Sequence, residues 1–254
     1  MARADSPLAD VEAEAARLLE AAAAANVLVR LLGGTAIGFH RHRPLPVALQ
    51  RRYGDIDLVV KKSQDRALKQ LLEELGYVPN RRFNGLHGDR RLLYYDEGNE
   101  RQIDVFIGTF RMCHTLELND RLTIHPQTLS PSDLLLTKLQ IVKINAKDIV
   151  DACALLYEHE IGGQRAADAI DLGRLVQVTG REWGWYTTLM DNLARLAPGP
   201  DLELPPEVAD ELAGRVTNLK QALTSAPKSI TWRARASVGR RVTWYELPEE
   251  IGGG

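Results

Sequence analysis

The sequence predicts an α+β protein: a small mixed β-sheet flanked by helices and followed by a C-terminal helical region. Two observations support this fold class. Short apolar strands alternate with helical patterns through the first 130 residues, and helical patterns dominate the rest. We therefore expect a core at residues 1–130 and a helical domain at residues 131–254, which ends in a basic and aromatic tail.

The composition is that of an ordinary globular protein. The 254 residues are 44% hydrophobic and 26% charged, and 32 basic against 34 acidic side chains give a formal net charge of -2. This balance provides no overall basic excess for bulk nucleic-acid binding. Acidic residues interrupt the N-terminal stretch, and no apolar run approaches the roughly 20 residues that cross a bilayer. We expect a cytoplasmic protein without a membrane partner.

Cysteine and histidine form no metal motif in the sequence. Cys113 and Cys153 are the only cysteines, and their separation fits neither a metal site nor a disulfide framework. Their scarcity fits a reducing compartment. No zinc-type spacing emerges from the six histidines. They stand at positions 40, 42, 87, 114, 125 and 159.

The spacing of apolar residues and the positions of glycines predict the first helices and strands. Residues 9–25 are rich in Ala, Leu and Glu at helical spacing, which predicts a helix. A short apolar strand follows, and Gly33–Gly34 end it before "TAIGFHRH" opens a second helix. Prolines then break the chain into a loop. The next strand is "DIDLVVK".

Two further patterns complete the predicted sheet. Ser63 is a good N-cap for a helix that Gly76 would end. The β-rich runs "RRLLYYDEG" and "RQIDVFIG" are joined by a Gly-Asn turn, which predicts a β-hairpin. We expect residues 85–91 to form a surface loop beside this hairpin.

Carboxylates occupy two of the predicted strands. Side chains alternate along a strand, so Asp55 and Asp57 should project from one face. Like charges about 4 Å apart repel by roughly 4 kcal/mol at an effective dielectric near 20, unless a cation or a shared proton intervenes. Asp104 lies in another apolar strand, and a mixed sheet could bring it beside the first two. The three would then bind a hard cation such as Mg²⁺; alternatively, each simply faces solvent at a strand edge.

The stretch "LLGGTAIGFH" places a glycine pair between a strand and a helix. This arrangement lets backbone N–H groups approach a phosphate. It lacks the spacing of the dinucleotide fingerprint and of the P-loop. Taken alone, such a pair is usually an ordinary turn.

In combination, these motifs resemble the nucleotidyltransferase superfamily typified by DNA polymerase beta. The segments "LLGGTAIGFH", "RRYGDIDLVV", "RQIDVFIG" and "LLLTKLQIVKINAKDIVDACALL" are similar to the branch that includes abortive-infection-type toxin nucleotidyltransferases. The resemblance covers about residues 27–160. It implies metal-dependent transfer of a nucleoside monophosphate from an NTP to an acceptor hydroxyl, with release of pyrophosphate.

The resemblance also implies a role for each matching acidic residue. Asp55 and Asp57 match the metal-binding pair of the family. Asp104 matches the third carboxylate, which supports metal binding or deprotonates the attacking hydroxyl. The implied metal is Mg²⁺, with Mn²⁺ as the alternative.

Other matching positions concern the nucleotide. Gly33, Gly34 and Thr35 match the motif that holds the nucleotide phosphates. Lys138 falls where related toxins have a helical lysine that faces the nucleotide, and we include it among the catalytic residues. Arg51 precedes the acidic strand and would either reach the triphosphate or offset the neighbouring carboxylates.

The helical signature and three departures complete the resemblance. Lys147, Asp148 and Asp151 are similar to the "KD…D" pattern of the branch, although such spacing is also that of an ordinary solvated ion pair. Tyr53 stands where relatives often have Ser or Thr, and Asn145 stands near a frequent Arg. The interval between the glycine pair and the acidic pair is also longer than in minimal members. These departures leave the substrate open.

The sequence does not choose the acceptor or the partner. The resemblance admits tRNA, a protein hydroxyl or a small molecule as the acceptor. The alternative function is that of a catalytically inactive member, which would act as a nucleotide- or RNA-binding module or as part of a toxin–antitoxin pair with an antitoxin partner.

Overall fold

A computed structural model describes residues 6–162, 167–196 and 202–247. At its centre lies a mixed five-stranded sheet with the strand order β1-β2-β5-β4-β3. In this sheet β2 and β5 are parallel, and the other neighbours are antiparallel. The strands β1 to β5 are Val29–Leu32, Ile56–Val60, Val78–Pro79, Arg91–Asp96 and Arg101–Ile107.

Four helices flank the sheet. The N-cap of α1 is Asp10, whose side chain accepts a hydrogen bond from the Ala13 backbone N–H. Single turns of 3₁₀ helix stand at Val47–Leu49 and Lys62–Gln64. The helices α1 to α4 are Val11–Ala24, Gly33–Gly38, Asp65–Glu74 and Arg81–His87.

The second half of the described chain is mainly helical. Its helices α5 to α10 are Pro131–Leu139, Ala146–Glu158, Leu172–Arg181, Trp183–Arg195, Pro206–Ser225 and Ile230–Val238. The hairpin β6–β7 (Thr109–Arg111 and Thr115–Glu117) precedes them, and the short parallel pair β8–β9 (Ile161–Gly162 and Ile170–Asp171) lies between α6 and α7.

One continuous apolar core joins the two halves. Leu58 and Val105 of the sheet belong to the same buried cluster as Leu135 of α5 and Trp185 of α8. Both α5 and α6 contact α2, which follows the edge strand β1. The core therefore holds the helices against the edge of the sheet where the glycine pair lies. No helix among the described residues has both the length and the apolar character to cross a membrane.

The predicted α+β fold class is confirmed, as are the first helix, the first strand and the β-hairpin. In that hairpin β4 pairs with β5, so that Leu93 lies opposite Asp104. Ser63 as an N-cap is wrong, because the chain forms a 3₁₀ turn there and α3 starts only at Asp65. The preceding residue, Gln64, makes no side-chain capping bond.

Two segments that we expected to be irregular are helical. Within residues 85–91, the first three belong to α4, which is capped by Asn80 and packs against β4. The basic and aromatic tail contains α10, whose N-terminus is capped by the Ser229 hydroxyl. The end of the predicted tail, from residue 248, lies outside the described residues. The domain boundary near residue 130 stays a prediction.

Candidate active site

Asp57 and Asp104 lie side by side on the two parallel strands. The register of β2 against β5 sets Asp57 opposite Asp104. Neighbours in register project from the same face of a sheet. Asp104 is 4% exposed and Asp57 is half-buried. Asp55 lies one residue before β2 and is exposed, so its predicted place inside the strand is wrong by one position.

Burial and mutual repulsion raise the pKa of both acidic residues. Burial, and after it the charge of Asp104, raises the pKa of Asp57 to about 7, against the opposing charge of Lys138. Burial also raises the pKa of Asp104, although the ion pair with Arg91 opposes this. The charge of Asp55 also raises the pKa of both Asp57 and Asp104. The three carboxylates therefore share one electrostatic environment, which a cation would relieve.

Arg91 already holds the Asp104 carboxylate. Arg91 Nε donates to Oδ1 at 2.8 Å and to Oδ2 at 3.2 Å, and its terminal NH₂ also contacts Oδ2. Arg91 was not among the site residues predicted from the sequence. The hairpin register was the available signal, because Arg91 lies two residues along β4 from Leu93, the partner of Asp104. Opposite charges at such diagonal positions on one face can reach each other.

The glycine pair packs directly against the acidic strand. Gly33 has a φ of +70°, and a Cβ at this position would lie 1.9 Å from Asp57 Oδ2. A Cβ on Gly34 would lie 2.3 Å from the ring of Tyr53. The Thr35 hydroxyl donates to the Asp55 carbonyl at 2.7 Å. The absence of side chains at the pair thus allows the backbone of α2 to approach both Asp57 and Tyr53.

Lys138 lies between two acidic residues of α6. Its Nζ is 2.9 Å from Asp148 Oδ1 and 2.9 Å from Asp151 Oδ2. Burial lowers the pKa of Lys138, but Asp151 and Asp148 outweigh burial and the net pKa is raised. Arg51 also pairs with Asp151, at 2.6 Å. Arg51 is therefore paired with Asp151. The alternative expected from the sequence was that Arg51 offsets the charges of Asp55 and Asp57.

Two cavities meet at Asp57 and Lys138, which line both. The larger, of about 350 Å³, extends past Asp104 and Arg91. Its apolar lining includes Leu32, Phe106, Phe110, Met112 and Ile141. The smaller, of about 260 Å³, is mainly polar. Its lining includes Gly34, Thr35, Arg51, Arg52, Tyr53, Asp55 and Lys147.

Comparison with known proteins identifies the family. A family model described as "Uncharacterised nucleotidyltransferase" matches residues 9–196, which is well over half of the chain. The chain belongs to this nucleotidyltransferase family. No curated protein sequence matches it. The abortive-infection branch stays a prediction.

Solved structures give weaker similarities to this chain. An antigenic nucleotidyltransferase-like protein from Paracoccidioides brasiliensis is 15% identical, with 89% of this chain and 97% of that chain covered and a TM-score of 0.43. A putative nucleotidyltransferase from H. pylori is 14% identical, with 86% and 97% covered and a TM-score of 0.38. JHP933 from Helicobacter pylori is 12% identical, with 91% and 97% covered and a TM-score of 0.38.

All the predicted site residues line the two cavities. Sequence reasoning listed Asn145 only as a departure, yet it lines both cavities together with Asp148. The Asn145 side chain caps α6 by accepting from the Asp148 backbone N–H at 3.0 Å. An Asn three residues before an Asp at the start of a helix was the signal for this cap.

Proposed function

We propose that this nucleotidyltransferase moves a nucleoside monophosphate from an NTP to an acceptor hydroxyl and releases pyrophosphate in a metal-dependent reaction. One observation carries the proposal. Asp57 and Asp104 lie opposite each other with Asp55 beside them, at the point where a polar cavity and a more apolar cavity meet. The family assignment supports the same chemistry.

Asp55, Asp57 and Asp104 would hold Mg²⁺ or Mn²⁺. Their oxygens are the hard donors that these ions prefer. The pKa of Asp57 is raised because burial and the charge of Asp104 both disfavour its ionised form. A bound cation would favour the ionised form. When bound, the ions supply charge neutralisation at the transferred phosphoryl group and make the acceptor hydroxyl more acidic.

The polar cavity suits the triphosphate. Thr35, Arg51 and Lys147 line it, and Lys138 stands at its junction with the larger cavity. Lys138 stays protonated at neutral pH, because the neighbouring carboxylates raise its pKa. A fixed cation beside Asp57 would offset negative charge on the transferred group.

The larger cavity suits the acceptor. It reaches Asp104, and a general base must lie within hydrogen-bond distance of the hydroxyl that it deprotonates. Both oxygens of Asp104 accept hydrogen bonds from Arg91, and this ion pair lowers the basicity of Asp104. Loosening of the pair would therefore make Asp104 a stronger base. The acceptor classes remain tRNA, a protein hydroxyl and a small molecule.

The same ion pair favours a second candidate function. If Arg91 keeps hold of Asp104 when nucleotide is bound, the protein is a binding module that keeps the fold without turnover. Such a module would act through a nucleotide, RNA or antitoxin partner. It would bind a nucleotide or its partner and release no pyrophosphate.

Titration calorimetry and labelling test the two candidates. The intact protein is titrated with each NTP in Mg²⁺ or Mn²⁺, and then incubated with α-labelled NTP and a cell extract. We expect NTP binding and entry of label into RNA, protein or a small molecule. Binding without pyrophosphate release would favour the module, and the absence of NTP binding with either ion would exclude the transferase.

Matched variants link the outcome to the acidic site. Asp55→Asn and Asp57→Asn keep the side-chain size and remove one charge each, so we expect both to lose metal-dependent NTP binding. Asp210→Asn makes the same change on the exposed face of α9 and should bind as the unaltered protein does. Equal binding by all three variants would show that NTP binds elsewhere.

A further inference from the structure

Four of the six histidines gather at the end of α2 opposite the glycine pair. His40 follows the C-cap of α2, and His159 is the C-cap of α6. The His40 ring lies 4.9 Å from the His159 ring and 4.7 Å from the His125 ring, measured between centroids. The His42 ring lies 5.7 Å from the His159 ring. The fold therefore brings together residues whose spacing in the sequence forms no motif.

His159 presents a buried nitrogen without a partner. Its Nδ1 donates to the Asp168 carbonyl at 2.8 Å, because a carbonyl oxygen only accepts. In the neutral imidazole, Nε2 then carries a lone pair. This Nε2 is buried and has no hydrogen-bond partner, and the residue is 1% exposed.

His40 repeats this arrangement with the nitrogens exchanged. Its Nε2 lies 2.6 Å from Thr128 Oγ1 and 3.3 Å from the Leu129 carbonyl. The Leu129 carbonyl can only accept, so the proton belongs on Nε2 and the lone pair on Nδ1. Nδ1 is also buried without a partner, and His40 is 1% exposed. Buried polar atoms normally have partners, so two orphaned nitrogens at adjacent rings point to an absent ligand.

We propose that His40, His42 and His159 bind one divalent transition-metal ion of the Zn²⁺ class. One ring nitrogen from each residue lies within 4.8 Å of the other two. Nitrogens about 2.0–2.1 Å from a tetrahedral Zn²⁺ lie roughly 3.4 Å apart, so the nitrogens need to approach each other by at most about 1.4 Å. His42 is exposed on the loop after α2 and can make this movement. Imidazole donors suit Zn²⁺, whereas the acidic site suits Mg²⁺.

Neighbouring charges accommodate the added cation. Glu158 Oε2 accepts from the backbone N–H groups of His42 at 2.9 Å and Arg43 at 3.2 Å. Its other oxygen, Oε1, is buried and also lacks a partner. Arg43 forms an ion pair with Glu211 at 2.9 Å, which offsets its positive charge. A carboxylate with one unpartnered oxygen thus lies beside the proposed ligands.

His125 and Asp168 form a second group with His40, but it is a poorer donor set. His125 Nδ1 accepts from the Thr128 backbone N–H at 3.0 Å. The neutral ring therefore carries its proton on Nε2, the nitrogen that lies 3.6 Å from Asp168. An N–H cannot ligate a metal, so we assign the ion to the first group.

The proposed site would fasten a loop of the active site. His42 belongs to the segment that runs from α2 to β2, which also carries Arg51 and Tyr53. His159 ends α6, the helix that carries Asp151. A metal held by both would fix the segment to α6 at one end, and the Arg51–Asp151 ion pair fixes it at the other.

The test measures Zn²⁺ binding with the acidic site disabled. The full chain, carrying Asp55→Asn and Asp57→Asn and freed of metal by chelation, is titrated with Zn²⁺ against a chromogenic chelator. We expect one Zn²⁺ per chain, and Co²⁺ should give the visible absorption of a tetrahedral nitrogen site. Absence of stoichiometric Zn²⁺ binding would overturn the proposal.

Single variants in the same background decide which residues are ligands. His42→Ala is the decisive one, because His42 is exposed and its loss should leave folding intact. We expect the Zn²⁺ affinity to fall about tenfold or more and the Co²⁺ absorption to change, as loss of a metal-site group does elsewhere. His87→Gln, in α4 beside β4, should bind as its parent does. Unchanged affinity in His42→Ala would refute the assignment.

Discussion

Gly33 connects the backbone of α2 to the acidic pair. Because its φ is +70° and its missing Cβ would meet Asp57 Oδ2 at 1.9 Å, alanine is both strained and obstructed there. A left-handed backbone alone costs a residue with a Cβ about 1–2 kcal/mol. We therefore expect Gly33→Ala to lower the free energy of unfolding by at least that amount and to weaken NTP binding. Urea unfolding and titration calorimetry measure the two effects.

Gly214 is the control for this substitution. It lies on the exposed face of α9, and a Cβ there would meet nothing within 4 Å. Alanine stabilises a helix interior by roughly 0.5–1 kcal/mol relative to glycine, so Gly214→Ala should raise the stability. If Gly33→Ala unfolds at the same urea concentration as the unaltered protein, the packing argument for the glycine pair is wrong.

We expect protonation of the buried His114 to destabilise the protein in acid. Burial, opposed in part by Glu246, lowers the pKa of His114 to about 4, below the roughly 6.5 of an unfolded chain. The unfolded state therefore binds the proton more tightly. The contribution of the neutral ring is fully present above about pH 6.5 and is lost as the pH falls towards 4.

Comparison with a variant separates His114 from the other titrating groups. His114 Nε2 lies 2.9 Å from Thr188 Oγ1, a contact that glutamine can preserve. We expect His114→Gln to lose less stability than the unaltered protein between pH 7 and pH 4.5, in urea unfolding followed by circular dichroism. Parallel pH profiles for the two proteins would contradict this account.

Single residues show which side chains of the site could be predicted from the sequence. Asp57 stood out because a charge in an apolar strand needs an explanation. Arg91 did not, since an arginine at the start of a hairpin strand is ordinary until the register places it beside Asp104. Arg51 was noticed, but its partner Asp151 comes from a distant helix.

At the scale of elements, one buried carboxylate joins α5 to α7. Asp133 is fully buried in the first turn of α5 and pairs with Arg121 at 2.5 Å and Arg174 at 2.9 Å. Its Oδ2 also accepts from the Ser130 hydroxyl. Removing one partner of a buried ion pair typically costs about 3–5 kcal/mol, because the remaining charges lose their compensation. We expect Asp133→Ala to destabilise the protein by that amount in chemical unfolding.

An exposed ion pair supplies the comparison. Asp191 on α8 pairs with Arg240 at 2.7 Å, but both side chains are largely open to solvent. Exposed pairs contribute about 0–1 kcal/mol, so Asp191→Ala should have a small effect. Equal losses for Asp133→Ala and Asp191→Ala would mean that burial does not set the strength of these pairs.

Elements with strong periodicity were predictable, and the short ones were not. The first helix and the β-hairpin have patterns long enough to give their type. The two-residue strand β3 and the seven-residue α4 are too short for a period, and α4 also contains Gly85. In α10 the mixture of basic and aromatic residues concealed a helix that Ser229 caps.

At the scale of the whole molecule, contacts between distant parts of the chain determine which site residues lie together. The parallel pairing of β2 with β5 places Asp57 opposite Asp104, and no local pattern gives that register. The histidine cluster is a similar case, since His40 and His159 come from the two halves of the chain. A strand order and a cluster of distant residues are properties of the complete fold. The family resemblance grouped Asp104 with Asp57 but gave no strand order, and it did not indicate the histidine cluster.

The whole molecule should respond to Asp57→Asn in two opposite ways. Without metal, the variant removes a charge that faces Asp104 across the register, so its unfolding temperature should rise. With Mg²⁺ and NTP at 100 times the dissociation constant, the unaltered protein should gain about 2.7 kcal/mol and the variant almost none. For a chain of this size, about 1 kcal/mol corresponds to roughly 2–4 °C.

Thermal unfolding with and without ligand measures both effects in one series. Asp210→Asn on α9 should match the unaltered protein under both conditions, because its carboxylate is exposed and does not line either cavity. If Asp57→Asn melts lower without ligand, the carboxylates of the apo site do not oppose each other. If it melts higher yet gains as much from Mg²⁺ and NTP, the acidic pair repels as expected but does not hold the nucleotide.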